Sequence, residues 1–288
     1  MKPKVFATCS EMARYRDGER AAGRTIGFVP TMGALHDGHR SLMERARVEN
    51  DVVVASIFVN PTQFGPREDF SKYPRPFERD IEICGEAGVD AIFAPDPPEM
   101  YPAGFDTYVV QEKLASVLCG ASRPGHFRGV LTVCCKLFNI VGPHVAYLGQ
   151  KDYQQTVVIR RMVRDLAMPL RIEVCPTVRE SDGLAMSSRN RYLKPDERRE
   201  ALCLHRALQL ARAMAAGGTA DSASLIAAMQ EAVRASPSAR IDYVAIVHPE
   251  SLEPVARLDG PAVAAIAAQI GSTRLIDNMI IGPPPGRP

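Results

Sequence analysis

Short runs of β-branched and apolar residues alternate with longer amphipathic segments from Thr25 to about residue 175. This alternation is typical of helices that cross over a parallel sheet, because strands buried on both faces are apolar along their whole length. The strand candidates are TIGFVP, VVVASIFVN, AIFAP, VAYLG and LRIEVCPTV. The helix candidates between them are RSLMERARVE, FERDIEICGEAG, GVLTVCCKLFNIV and DYQQTVVIRRMVRDLA. The pattern predicts an α/β fold with a doubly wound (Rossmann-like) parallel sheet.

The sequence changes character after the segment ESDGLAMSSRNRYLKPDERR. Two alanine-rich helix candidates, ALCLHRALQLARAMAAGG and ADSASLIAAMQEAVRA, precede the strand candidates IDYVAIVHPE, AVAAIAAQIG and TRLIDNMII. We therefore predict a boundary near Ser181, with the sheet domain over residues 1–180 and a smaller α+β domain over residues 181–288. The proline-rich tail GPPPGRP is predicted to be frayed.

Composition limits the classes of partner. The 288 residues are 46% hydrophobic and carry a formal net charge of only +2, which excludes the basic field that drives binding to nucleic acid or anionic membranes. No apolar run approaches the roughly 20 residues that cross a bilayer, and the first residues lack a secretory signal, so we expect a cytoplasmic protein. The 7 cysteines show no Cys-x-x-Cys spacing and are expected to be buried, reduced side chains.

Four polar turns follow strand candidates, where ligands bind in open parallel sheets. They are PTMGALHDGH, FVNPTQFG, LGQKDYQQ and VRESDGLAMSSRN. The chain contains neither GxxxxGK[ST] nor GxGxxG, so the P-loop and the dinucleotide fingerprint do not apply.

The first and third turns have the residue types that bind phosphate. His36 and His39 are three residues apart at a helix start, where they can face one bound group beside free backbone amides. A zinc pair is the rival interpretation, but no third ligand accompanies them in a recognisable spacing. Lys151 can meet a phosphate as a point charge, and Asp152 can cap a helix or bind a ribose hydroxyl.

The second and fourth turns favour recognition of an acid and closure over phosphates. Asn60 and Gln63 carry amides, which suit a hydroxyl or carboxylate, although turn formation explains Asn60 as well. Hydroxyl groups and Arg189 on the glycine-containing fourth loop can fold over phosphates and neutralise developing charge.

These motifs resemble a known family. HDGH resembles the His-x-Gly-His signature of the nucleotidyltransferase superfamily, and MSSRN resembles a shortened Lys-Met-Ser-Lys-Ser loop. The ordered series PTMGALHDGH, FVNPTQFG, YPR, RPGHFRGV, KLFNIVGPHVAYLGQKDYQQ and DGLAMSSRN resembles the pantothenate synthetase (pantoate–β-alanine ligase) family. The resemblance implies an enzyme that condenses pantoate with β-alanine to give pantothenate through a pantoyl adenylate, releasing AMP and pyrophosphate. It also implies Mg²⁺ bound with ATP, and a homodimer.

The resemblance further implies roles for individual residues. Those expected to bind ATP are Met32, Gly33, Ala34, Leu35, His36, Asp37, Gly38, His39, Gly149, Gln150, Lys151, Asp152, Val178, Met186, Ser187, Ser188 and Arg189. Those expected to be catalytic are His36, His39, Lys151, Ser187, Ser188 and Arg189. Gln63 and Gln155 are expected to bind pantoate, with Gln63 also near β-alanine, and Asp80 is expected to support magnesium.

Two other functions fit parts of the pattern. An adenylyltransferase of the same superfamily, in which a substrate phosphate attacks ATP, predicts more basic residues where Gln63 and Gln155 lie. A non-catalytic nucleotide sensor has no need of Lys151 and both histidines, so their joint presence argues against it. A tRNA-charging enzyme is disfavoured because no basic RNA-binding appendage is visible.

Overall fold

A computed structural model describes residues 2–66 and 68–283 of the chain. The strands are β1 (Lys4–Phe6), β2 (Ile26–Thr31), β3 (Val52–Ile57), β4 (Ala91–Phe93), β5 (Val145–Gly149), β6 (Arg171–Cys175), β7 (Ala239–Val247), β8 (Ala262–Ile270) and β9 (Thr273–Ile281). The helices are α1 (Cys9–Ala21), α2 (Asp37–Glu49), α3 (Phe77–Glu86), α4 (Pro97–Met100), α5 (Cys119–Ser122), α6 (His126–Val141), α7 (Tyr153–Asp165), α8 (Pro195–Glu200), α9 (Leu202–Ala216) and α10 (Ser222–Arg234). Most of the tail predicted to be frayed, residues 284–288, lies outside the described residues.

The first six strands form one parallel sheet in the order β1-β4-β3-β2-β5-β6. Alternate residues of the strands point to opposite faces, so Phe28 joins an apolar cluster with Leu131 of α6, whereas Val29 joins one with Met43 of α2. Helices therefore cover both faces, and the predicted doubly wound fold is confirmed.

Several strand boundaries differ from the sequence prediction. The strand predicted over VVVASIFVN ends at Ile57, because the following residues turn into a short 3₁₀ helix over Pro61–Gln63 whose first residue is proline. The strand predicted over LRIEVCPTV ends at Cys175, just before Pro176. The short edge strand β1 and helix α1 were not predicted.

The last three strands form an antiparallel sheet in the order β7-β8-β9, as expected of a smaller α+β unit. One face of this sheet shares an apolar core with α9 and α10, to which Leu204, Leu225 and Ile266 belong. Residues of the other face, among them Val263 and Ala265, join the larger core of the parallel sheet. The domain boundary near Ser181 remains a prediction.

Two compositional expectations can be checked against the described residues. All 7 cysteines are free, and five of them, Cys84, Cys119, Cys134, Cys175 and Cys203, are buried. Among the described residues, no helix combines the length and apolar character that a membrane crossing requires.

Helix α6 approaches the turn that follows β3 at a glycine. A Cβ atom at Gly129 would lie 2.3 Å from the carbonyl oxygen of Thr62 and 2.6 Å from the amide nitrogen of Gln63. The Gly129 carbonyl also accepts a hydrogen bond of 3.2 Å from the side chain of Asn60. Any side chain at position 129 must therefore displace the turn that carries Gln63.

We expect Gly129→Ala to lower the free energy of unfolding by about 1–3 kcal/mol, because the added methyl group overpacks a backbone contact. Urea unfolding followed by circular dichroism measures this change. Gly18→Ala is the matched control: position 18 is inside α1 and has nothing within 4 Å of an added Cβ, so the same substitution should be neutral or stabilising. An unchanged unfolding midpoint for Gly129→Ala would contradict the close approach.

Candidate active site

The turn after β2 brings two imidazoles together at the start of α2. The His36 and His39 rings have their centroids 4.1 Å apart, so the predicted proximity is present. Nδ1 of His36 accepts a hydrogen bond of 3.2 Å from the backbone N–H of Gly38, and Nδ1 of His39 accepts one of 3.4 Å from that of His36. A Cβ at Gly38 would lie 2.9 Å from atoms of the His36 ring, so only glycine permits this packing.

These hydrogen bonds assign a tautomer to both rings. Because Nδ1 accepts in each, a neutral ring carries its proton on Nε2, which can donate to an anion. Burial, together with the charge of Lys151, lowers the pKa of His36 to about 4. Burial and the neighbouring His36 hold the pKa of His39 well below its usual value. Both imidazoles are therefore neutral N–H donors at neutral pH in the free protein.

The Asp80 carboxylate holds the backbone of the same turn through hydrogen bonds. Its two carboxylate oxygens each accept a 2.8 Å hydrogen bond, one from the amide of Ala34 and one from that of Leu35. The side chain is buried, with 1% of the residue exposed, and burial raises its pKa. Ala34 has φ of 52°, an uncommon value for a residue with a side chain, which these bonds help to hold. The contacts favour a positioning role for Asp80 over the expected magnesium role.

The turn after β5 carries Lys151 beside the histidine turn. Gly149 ends the strand, and residues Gln150–Asp152 form a single 3₁₀ turn before α7 begins at Tyr153. The ammonium nitrogen of Lys151 lies 3.5 Å from a carboxylate oxygen of Asp152. Asp152 takes the N-cap position of α7 but makes no capping hydrogen bond, so its carboxylate stays available to a ligand.

The fourth turn closes over the first. The Ser188 hydroxyl donates a 2.9 Å hydrogen bond to the carbonyl of Ala34, and only 8% of Ser188 is exposed. Ser187 accepts a hydrogen bond from the backbone N–H of Arg189. The Arg189 guanidinium makes two hydrogen bonds to the carboxylate of Asp69, at 2.9 and 3.0 Å. The loop therefore contacts both the histidine turn and the segment after β3.

The two amides expected to bind an acid lie in different environments. The Gln63 side chain is nearly buried, where its Nε2 group lies 2.8 Å from the sulfur of Met32 and its Oε1 accepts from Asn60 at 3.1 Å. Gln155 extends from α7 into the same cleft. The adjacent Gln154 is bonded to backbone groups, including the carbonyls of Leu114 and Val117, so it has a structural role.

Most of the predicted site residues line one cleft at the carboxyl ends of β2 and β5. Those that line it are Met32, His36, Gly38, His39, Gln63, Gly149, Lys151, Asp152, Gln155, Val178, Met186, Ser187, Ser188 and Arg189. The other predicted residues are not among those that line it: Gly33, Ala34, Leu35 and Asp80 are buried, Gln150 is partly exposed and Asp37 is exposed. The cleft continues toward the antiparallel sheet, where it is lined by Tyr243, Arg274 and Asn278.

Sequence reasoning gave no role to Arg123 and His126, which also line this cleft. Arg123 makes hydrogen bonds of 2.7 and 2.5 Å to the carboxylate of Glu68 and contacts Nε2 of His126 at 2.9 Å. Since the guanidinium can only donate, Nδ1 of His126 is the protonated nitrogen, and it donates to the Gln63 carbonyl at 2.8 Å. The available signal was their placement in RPGHFRGV, one of the motifs that carry the family resemblance.

Comparison with known proteins decides the family. A family model described as pantoate-beta-alanine ligase matches residues 4–280. The chain belongs to this family. A pantothenate synthetase from Moorella thermoacetica is 56% identical, covering 96% of this chain and 98% of that protein. The crystal structure of pantothenate synthetase from Thermus thermophilus superposes with a TM-score of 0.92 at 50% identity, covering 97% of this chain and 100% of that one.

A third relative bears on ligands. A pantoate-beta-alanine ligase from Francisella tularensis, 35% identical with a TM-score of 0.80, covers 96% of this chain and 97% of its own. Its crystal structure is described as a complex with beta-gamma ATP and beta-alanine. The ligase family condenses pantoate with β-alanine at the expense of ATP, so the enzyme class and reaction expected from the sequence are confirmed.

We expect Asp80→Asn to lower kcat and to lower the free energy of unfolding by about 1–3 kcal/mol, because one amide oxygen cannot replace two acceptors of buried N–H groups. The Mg²⁺ concentration that gives half-maximal rate should stay unchanged. Steady-state rates across a magnesium titration, with urea unfolding of the same samples, measure these quantities. Glu82→Gln, an exposed carboxylate on the same helix α3, is the control. A shifted magnesium requirement in Asp80→Asn would restore the metal role.

Proposed function

We propose that this ligase carries out both half-reactions in the cleft between the turns after β2 and β5, through a pantoyl adenylate. The observation that carries the proposal is the convergence there of Lys151, Arg189 and two neutral imidazole donors. The amides of Gln63 and Gln155 line the same cleft and suit an acid that must approach the phosphates.

In the first half-reaction a pantoate carboxylate oxygen attacks the α-phosphorus of ATP, and pyrophosphate leaves with the electron pair of the broken P–O bond. Lys151 and Arg189 supply fixed positive charge, and Nε2 of His36 and His39 donate hydrogen bonds as negative charge moves onto the phosphates. No proton has to reach an imidazole before ATP binds, because the Nε2–H groups donate from the neutral rings.

Magnesium fits this site as part of the nucleotide. At the carboxyl ends of β2 and β5, Asp152 is the only carboxylate among the described residues that line the cleft, whereas Asp277 lines its continuation toward the antiparallel sheet. No group of three or more potential metal ligands occurs in the described part of the chain. Mg²⁺ at nucleotide sites is bound by one or two carboxylates together with substrate phosphates, so Asp152 would hold the ion together with the triphosphate. The ion would supply further charge neutralisation on the phosphates.

In the second half-reaction the β-alanine amine attacks the acyl carbon of the adenylate. The C–O bond to AMP breaks, AMP leaves with its electron pair, and the amine nitrogen gives up a proton as the amide forms. The protein stays unacylated because the nucleophilic side chains of the cleft are otherwise engaged. Ser188 donates to a backbone carbonyl and Ser187 accepts from a backbone N–H, while burial raises the pKa of the Cys134 thiol to about 12. The loop over Met186 and Ser187 lies against the cleft, where it keeps water from the reactive anhydride.

Two further proposals concern the setting of the enzyme. We propose that it works as a homodimer, as its resemblance to the family implies. We also propose a cytoplasmic location, which is supported by 7 thiols that are all free and by a nearly neutral charge.

The intermediate is tested by a reaction without amine. With Mg²⁺, ATP and pantoate alone, the enzyme should exchange labelled pyrophosphate into ATP, and a quenched stoichiometric reaction should contain the adenylate by mass spectrometry. Alanine variants of His36, His39 and Lys151 should lose about 100-fold or more in exchange rate, because each removes a donor that acts on transition-state charge. Lys113→Ala, at an exposed lysine, should exchange normally. Absence of both exchange and adenylate, or an acyl group attached to the protein, would contradict the proposed route.

The acid pocket has a separate test. Gln63→Ala and Gln155→Ala should each lower kcat/KM for pantoate. The loss should correspond to about 1–3 kcal/mol of transition-state stabilisation, since a truncated side chain leaves a polar group of the bound acid unpaired. The KM for ATP, measured in the same exchange assay, should barely change and serves as the internal control. Equal losses for ATP and pantoate would assign these amides to the nucleotide instead.

A further inference from the structure

Two successive polar residues of β9 are buried on opposite faces of the strand. Asp277 is 3% exposed and Asn278 is 4% exposed, although neighbouring side chains of a strand point in opposite directions. Both lie in the antiparallel sheet, more than a hundred residues from the phosphate-binding turns along the chain. The two buried side chains must therefore find hydrogen-bond partners on opposite faces of the strand.

Asn278 is bonded to the turn that carries Lys151. Its Nδ2 group donates hydrogen bonds of 2.9 Å to the carbonyl oxygens of both Gln150 and Lys151. Its Oδ1 atom accepts from the Gln150 side chain at 3.3 Å. One side-chain amide thus binds the backbone of Lys151 and both the backbone and the side chain of the residue before it.

The lysine turn is a short connection between β5 and α7. It is a three-residue 3₁₀ helix without a side-chain cap, and such short turns have poor internal hydrogen-bond geometry. The lysine side chain is also flexible, so the position of its ammonium group depends on where the backbone of the turn is held. The donor from Asn278 is therefore a contact from outside the β5–α7 connection that helps to fix the base of Lys151.

Asp277 is bonded to the segment that leads into residues 186–189 of the fourth turn, called here the closing loop. Its carboxylate accepts two hydrogen bonds from the Arg179 guanidinium, at 2.7 and 2.9 Å. Arg179 forms an isolated β-bridge with Ala185 and also donates to the Gly183 carbonyl at 3.1 Å, so it holds the hairpin directly before Met186. Asp277 also accepts from the backbone N–H of Asn278, which joins the two contacts within one strand.

We propose that Asn278 is a positioning residue for Lys151. We further propose that the adjacent residues Asp277 and Asn278 of β9 fix the position of the lysine turn relative to the closing loop. This inference rests on the proposed role of Lys151 at the phosphates. It assigns to the smaller sheet a part in the adenylation step, through the contacts of Asn278 and Asp277 with the two turns. Loss of the Asn278 contact would displace Lys151 without removing it, so kcat should fall more than substrate binding weakens.

The test compares Asn278→Leu with the wild-type enzyme in pyrophosphate exchange with ATP, Mg²⁺ and pantoate. Leucine has the same branched arrangement of side-chain heavy atoms, although it is larger, and donates no hydrogen bond, so we expect kcat to fall by about 10-fold or more while KM for pantoate changes less than about twofold. Asn278→Asp, which also has no N–H to donate, takes its place if the leucine variant does not fold. Assays are run at a temperature where unfolding curves show each variant to be folded.

Two controls separate positioning from general weakening. Leu225→Ala removes a fully buried side chain from α10, in the core of the smaller sheet and away from the lysine turn. It should lower the unfolding midpoint but keep kcat near the wild-type value when assayed in the folded range. An equal loss of kcat in Leu225→Ala would show that destabilisation alone explains the Asn278 variant, and the inference would fall.

Lys151→Ala, assayed in parallel, separates failure of the inference from failure of the proposed function. If Lys151→Ala is inactive and Asn278→Leu exchanges at the wild-type rate, the asparagine does not position the lysine and only the inference is overturned. If Lys151→Ala exchanges normally, the role of Lys151 is wrong, and the proposal built on it is overturned as well.

Discussion

The pairing of β2 with β5 is the constraint on which the site depends. These strands lie side by side in parallel, with Gly27 opposite Val145 and Phe28 opposite Ala146, although most of the parallel-sheet domain separates them in sequence. The strand order reverses between them, since the chain runs from β2 through β3 to β4 on one side and from β5 to β6 on the other. A crevice at such a point binds ligands in open α/β sheets. The histidine turn and the lysine turn are neighbours for this reason.

The electrostatics of the site follow from burial at that crevice. Removing imidazoles from water favours their neutral form, and the nearby Lys151 charge acts in the same direction on both His36 and His39. In the proposed mechanism, fixed charge on Lys151 and Arg189, with hydrogen-bond donors on the histidines, would bind phosphate without assembling several unpaired cations in a low-dielectric space. Asp69 compensates Arg189 in the free protein through two hydrogen bonds, and a bound phosphate would compete with this carboxylate for the guanidinium.

Local sequence predicted the parts of the site that lie on one turn. The strand-turn-helix pattern placed His36, His39 and Lys151 at the carboxyl ends of strands, and strand periodicity established the doubly wound sheet. The groups that hold these turns were not predictable in the same way. Asn278 is 128 residues from Gln150 and 127 from Lys151, and no spacing rule connects such positions. Asp80 was found through the family resemblance, but with a metal role where the structure shows bonds to two backbone amides.

The fourth loop is held from both sides, and one of its two anchors lies on the smaller sheet. Ser188 binds the histidine turn at its Ala34 carbonyl, whereas Arg179, at the beginning of the loop, binds Asp277 on β9. A loop fixed at only one end would place Ser187 and Arg189 over the cleft in many conformations, with an entropic cost each time substrate ordered it. Anchoring at both ends lowers that cost before ATP arrives. β9 also holds the lysine turn, so in the proposed mechanism one strand sets the distance between two segments that would contact the same phosphates.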